Sequence, residues 1–187
     1  MKNRRRLVTG AAVTAAVIGL AITGITVTAQ AAPAQPAAAS QNSASARQWA
    51  NERLVEEFYA DVLDAHHGDH ATRYLTPTMA WHGGTVGTVA GANNVAALMT
   101  AVVAAIPDLH ATQEDIVAQG DDVVVRVVVT GTQTGAILGV PATGRAVRWD
   151  ATDWYQLTNG KISNEWAAED WSAFLYYTGT YKAPWIP

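Results

Sequence analysis

The chain has 187 residues, with 16 acidic and 12 basic side chains, a formal net charge of −4 and no cysteine. That length fits one domain able to bury a core. Without cysteine, disulfides, thiol catalysis, Cys-ligated metal and a lipid-modified N-terminal Cys are excluded.

Met1–Arg6 is basic, Leu7–Ala29 is apolar and uncharged, and Ala29-Gln30-Ala31 is a small-x-small site followed by Ala32-Pro33. This order predicts a secretory signal peptide over 1–31, cut after Ala31. The protein is then secreted or extracytoplasmic, exported by the Sec route, although Asn3–Val8 also loosely fits a twin-arginine signal. Left uncleaved, the segment is long enough to anchor the chain in a membrane, its one expected membrane link. Its removal leaves 8 basic residues against 16 acidic ones, a net of −8. No basic run survives, so nucleic acid is not expected as a partner. Residues 32–46 lack periodicity and large apolar side chains, which predicts a disordered spacer. The domain proper is 47–180, with a short tail at 181–187.

Gln48–His66 has a helical period, with Leu54, Val55, Phe58, Tyr59, Val62 and Leu63 on one side and charges on the other. A short helical turn is expected around Asp69–Tyr74, capped by Asp69 and stopped before Pro77. Met79–His82 reads as a brief strand ended by Gly83-Gly84. A second helix is expected from about Asn93 to Ile106, where Pro107 ends it. Leu109–Gln119 is a weaker strand. Val123–Thr130 contains seven β-branched residues and one arginine, a run that suits a pleated surface and disfavours helix. Arg126 among these valines needs an acidic partner. Gly131–Gly144 breaks the strand with four glycines and Pro141. Arg145–Leu157 and Lys161–Glu169 then flank Asn159-Gly160, the strongest short-range hairpin signal. Ser172–Tyr177 adds a helical turn. Helices followed by antiparallel strands define an α+β protein, helices packed on one face of a curved sheet.

Four segments carry a specific resemblance: FYADVL, IPDLH, AQGDDVVVRVVVTGTQTGAILGVPATGR and NGKISNEWAAED. Together they resemble the SnoaL-like polyketide cyclase (ester cyclase) family over roughly residues 48–180. The resemblance implies the nuclear transport factor 2-like cone, a curved antiparallel sheet wrapped by N-terminal helices around a deep pocket. It also implies intramolecular aldol ring closure without metal or organic cofactor. Such chemistry needs a group that removes a proton α to a carbonyl and donors that hold the enolate. The family places a His in the loop after the long strand, and a His-x-Asp pair near the end of the last strand. The matching positions here are Gln133, Glu165 and Ala167. Glu165 is thus the first candidate acid/base and Asp170 the second. Gln133, His82 and Trp154 are candidate substrate contacts.

A two-residue turn pairs Leu157 with Ile162, Tyr155 with Asn164 and Asp153 with Trp166. Trp149, Asp153, Tyr155, Ile162, Asn164, Trp166 and Asp170 then share one sheet face, while Trp154, Glu165 and Ala167 share the other. Periodicity would bury the first face. The resemblance turns the second face into the pocket and leaves the first for a homodimer contact. Asp170 has a second reading as a helix cap. His66-His67 with Asp69 and His70 has the composition of a metal cluster, but reads as the C-terminal cap of a helix, and no metal is expected. Seven tryptophans suit a core, an interface or an aromatic pocket. Two functions follow. One is a cyclase acting by acid/base chemistry on an apolar or aromatic small molecule. The other is a secreted module of the same fold that binds such a ligand without turnover.

Overall fold

The valine run of the sequence becomes the long central strand of a twisted six-stranded sheet. The structure, a computed structural model, describes residues 36–185. The signal segment and its cleavage site at Ala31 lie outside them.

Helix α1 spans Pro36–Phe58. It starts inside the stretch expected to be a spacer, because 36–46 is rich in alanine, the best helix former, and proline suits a first helical turn. A π-helical segment, Tyr59–Asp64, continues it. A 3-10 helix follows over Gly68–Arg73, with His67 rather than Asp69 at its N-cap position. Strand β1 is Leu75–His82 and the short β2 is Thr88–Ala90. Helix α2 covers Ala92–Ala105. The remaining strands are β3, His110–Gln119, β4, Asp122–Gln133, β5, Arg145–Thr158, and β6, Lys161–Glu169. Helix α3, Trp171–Thr178, closes the domain. No helix among the described residues is long and apolar enough to cross a membrane.

The sheet order is β2-β1-β6-β5-β4-β3. All pairings are antiparallel except β1 with β6, which run parallel. Alternate residues of β4 and β5 are buried, among them Val123, Val125, Val127, Trp149, Tyr155 and Leu157. These pack against Val55, Phe58 and Val62 from the N-terminal helix and Val95 and Met99 from α2. Asn159 and Gly160 both adopt positive φ, 52° and 68°, as a type I′ turn requires. Arg126 finds its acidic partner on the solvent face, with Nη2 2.7 Å from Asp115 Oδ2 and 3.5 Å from Glu114 Oε2.

One irregularity decides what the sheet presents to the core. Leu157 pairs with Ile162, but Gln156 pairs with Asn164 and Tyr155 with Glu165. A β-bulge therefore places Ser163 and Asn164 together opposite Gln156, where Ser163 Oγ donates to the Gln156 carbonyl at 2.9 Å. Every partner beyond the bulge moves by one residue relative to simple counting across the turn. Both expected face assignments are thereby half corrected. Trp149, Asp153 and Tyr155 of β5 point inward, and so do Glu165 and Ala167 of β6. Trp166, expected beside Trp149, is on the outside.

Candidate functional site

The bulge brings acidic side chains from two strands into one cavity. Its wall takes Phe58, Tyr59 and Leu63 from the N-terminal helix, and Leu98, Met99 and Val102 from α2. Trp171 and Phe174 of α3 close one side, and Ile137 and Leu138 of the β4–β5 loop reach its mouth. The free volume is about 80 Å³, well under the ~300–1,000 Å³ of a pocket for drug-sized ligands. Into this apolar space the strands send Asp153, Glu165 and Glu169, with Tyr155, Trp149 and Trp81.

These groups form a connected polar network. Tyr59 donates its hydroxyl to Asp153 Oδ2 at 2.6 Å, and Tyr155 donates to the Tyr59 oxygen at 3.0 Å. Tyr155 and Trp81 lie beside Glu165 and favour its charged form. Trp149 donates its indole N–H to Glu169 Oε2. Two acceptor atoms, Asp153 Oδ1 and Glu165 Oε2, are buried without a partner. Such an atom costs free energy unless something fills its bonding capacity.

Desolvation dominates the acidities, because a buried charge loses its water. It raises Asp153 to about 6, with the Tyr59 hydrogen bond opposing. It raises Glu169 to about 8, assisted by the nearby Asp153 carboxylate. Glu165 is pushed well above the carboxylate range by burial and then by the charges of Asp153 and Glu169. Tyr59 and Tyr155 are raised as well, again chiefly by burial. The three acids titrate as a set, since each feels the others. All three carboxyls are therefore biased toward their neutral, proton-donating forms, by burial first and by one another's charge second.

Of the residues singled out in the sequence, Glu165 lies in this cavity and the other four do not. Asp170 is the N-cap of α3, its Oδ1 accepting from Ala173 N at 3.0 Å and from Ser172 Oγ at 2.5 Å. The Ser172 and Ala173 bonds hold its carboxyl below the usual range. Gln133 is buried, but its amide is spent on the loop. Nε2 donates to the Gly135 and Pro141 carbonyls at 2.8 and 2.9 Å, and Oε1 accepts from Thr143 N at 3.0 Å. His82 stacks on Trp166 outside the sheet, centroids 5.2 Å apart, with Nδ1 3.3 Å from Thr88 Oγ1. Trp154 is exposed on the same outer face and donates to Asp122 Oδ1 at 3.0 Å. Asp153, Glu169 and the two tyrosines were the residues missed. For Asp153 and Tyr155 the signal was an acid and a hydroxyl at period two with Trp149 on a face of β5 that otherwise reads as core.

Among the described residues one group has metal-ligand character, Asp61, His67 and His70. His67 Nδ1 and His70 Nδ1 lie 2.8 and 2.9 Å from Asp61 Oδ1, and Tyr74 donates to Oδ2 at 2.9 Å. Those bonds hold the Asp61 carboxyl down at about 2, the His67 bond most strongly. His66 instead lies with Nε2 2.8 Å from the Leu109 carbonyl oxygen. The group works as a clasp joining the π-helical segment to the 3-10 helix.

The curved sheet, the wrapping helices and the central cavity define the nuclear transport factor 2-like class of α+β proteins. A family model for SnoaL-like polyketide cyclases matches residues 53–176, and the chain belongs to that family. Solved structures agree. A protein from Jannaschia sp. CCS1, named for its likeness to SnoaL polyketide cyclases, superposes with a TM-score of 0.66 at 23% identity, covering 72% of this chain and 95% of its own. TsrD from Streptomyces laurentii gives 0.65 at 25% identity, covering 72% and 98%. IdmH from Streptomyces antibioticus, a candidate polyketide cyclase, gives 0.59 at 24%, covering 69% and 98%. No curated protein sequence matches the chain.

Proposed function

We propose that the protein catalyses acid/base chemistry on a small apolar or aromatic molecule held in this cavity, by removing a proton α to a carbonyl and closing a ring by aldol addition. The observation that supports it is that Asp153 and Glu165 both line the cavity, both are buried, and each has one oxygen without a hydrogen-bond partner. Asp153, the more acidic of the two, takes the C–H proton. Neutral Glu165 hydrogen-bonds to the carbonyl oxygen that becomes the electrophile. The enolate carbon attacks that carbonyl, a C–C bond forms, and the new alkoxide takes the Glu165 proton. Asp153 then carries the extra proton and Glu165 lacks one. That proton returns toward Glu165 through the Tyr59 and Tyr155 hydroxyls once they turn to donate away from Asp153 rather than toward it.

The roles expected from the resemblance shift accordingly. Glu165 is the proton donor rather than the base, and Asp153 does the work that the family assigns to the position of Ala167. Glu165→Gln should lower the rate of cyclisation of a linear poly-β-keto ester by about a hundredfold or more, with thermal stability kept. An unchanged rate would remove Glu165 from the chemistry. Wild-type protein that binds the ester but never cyclises it would establish the alternative, a ligand-binding module of the same fold.

A further inference from the structure

We propose that the ligand of this cavity carries a protonated amine on a small apolar body. The inference shares with the proposed function only the premise that this cavity is the ligand site, and it does not depend on ring closure. Three carboxyls line the cavity, and among the described residues that line it there is no Lys, Arg or His. The full set of titratable groups facing one another there is Tyr59 from the N-terminal helix, Asp153 and Tyr155 from β5, and Glu165 and Glu169 from β6. Walls from α2, α3, β1 and β4 add none. With no cation among its described lining residues, the cavity holds these acids toward their neutral forms, and a cation from outside is what would let them ionise together.

The free atoms show what would complete it. Asp153 Oδ1 and Glu165 Oε2 are both unpartnered acceptors when ionised. An ammonium supplies several N–H donors and the compensating charge together. Trp171 Nε1, also buried and unpartnered, leaves one donor for an acceptor elsewhere on the ligand. Aromatic faces complete the fit. Trp149 lies 6.1 Å from Trp171 and 5.6 Å from Phe174, and Trp171 lies 6.2 Å from Phe174, forming a three-ring corner. Tyr59 and Tyr155 line the same cavity, their rings edge-on at 6.1 Å. Rings around carboxylates are a setting in which alkylammonium groups are held by cation–π attraction. A free volume of about 80 Å³ admits a compact headgroup with a short body, and any longer tail must leave past Ile137 and Leu138.

The test is calorimetric titration of the protein at pH 7 with benzylamine and with benzyl alcohol, which share a shape and differ in charge. The amine should bind at least ~tenfold more tightly. Its affinity should rise from pH 5 to pH 7.5, with protons released on binding, because the ammonium favours ionised carboxyls. Asp153→Asn should bring the two affinities together, and Glu165→Gln serves as the second variant should the first fail to fold. Equal or tighter binding of the alcohol would overturn the proposal while leaving cyclisation open. Absence of amine binding at millimolar concentration would overturn it too. Loss of cyclase activity in the poly-β-keto ester assay, with selective amine binding retained, would instead refute the ring-closure reading alone.

Discussion

Burial of Asp153 and partial burial of Glu169 tie the cavity to stability as well as chemistry. Their folded values of about 6 and about 8 lie above the ordinary 3.8 and 4.5. A raised acid contributes stability that is fully present below the unfolded value and is lost as pH climbs through the folded one. Asp61 has the opposite sign. It is held at about 2, so its contribution is present above about pH 4 and fades as pH falls further. The melting temperature should therefore be highest near pH 4 and, from pH 5 to pH 8, fall by on the order of 5 °C. Asp153→Asn should flatten the acid side of that decline. Thermal melts across this range check it, and a profile that is flat or rising from pH 5 to 8 contradicts the placement of neutral acids in the cavity. At this scale the sequence was only partly legible. Glu165 could be found by likeness to a family position. The burial of Asp153 follows from the alternation of β5, but its meeting with Glu165 could not be read, because that depends on a strand register that side-chain identity does not encode.

Elements were more legible than their contacts. The helix period over 48–66, the valine run and the Asn159-Gly160 turn all form as their residue types dictate. The β6 bulge is different, since no glycine or proline marks Ser163. Counting across a two-residue turn gives the right pairing at Ile162 and the wrong one from Asn164 onward. That single extra residue is why Asp153 and Glu165 share a face. The parallel seam between β1 and β6 was likewise hidden, because it joins strands some eighty residues apart. Gln133 illustrates a functional position turned structural. Its side chain holds 135–143 closed, and this loop carries Ile137 and Leu138 to the cavity mouth. Gln133→Leu would strand two carbonyls, one N–H and the Thr143 hydroxyl, and should cost about 2–4 kcal/mol. Urea denaturation measures that loss, and faster amide exchange confined to the loop should accompany it. An unchanged midpoint would show that the loop does not need the amide.

At the scale of the molecule, the outer sheet face has its own organisation. His82, Trp166, Trp154, Val124 and Val117 are register partners in one row across five strands. Four of them are conspicuously exposed, Val117 at 65%, Trp154 at 49%, Trp166 at 41% and Val124 at 36%. An apolar row of this kind on an antiparallel sheet suits contact with a second copy. We propose a homodimer through this row, with Trp166 on the face where hairpin counting put it and Trp154 there in place of Trp149 and Tyr155. Light scattering should give a dimer at micromolar concentration, and Trp154→Ser with Trp166→Ser should give a monomer with an intact cavity. A monomeric wild type would refute it.

The cone and its cavity together imply one central property: an apolar interior that keeps an ionisable pair split, one acid charged and its neighbour neutral at the same pH. Carboxyl ¹³C NMR titration of Asp153 and Glu165, assigned with Asp153→Asn and Glu165→Gln, measures this directly. The expected result is an Asp153 transition near pH 6 and a Glu165 carboxyl still protonated at neutral pH. Two transitions in the range of ordinary exposed carboxylates, both complete by about pH 5, would contradict it.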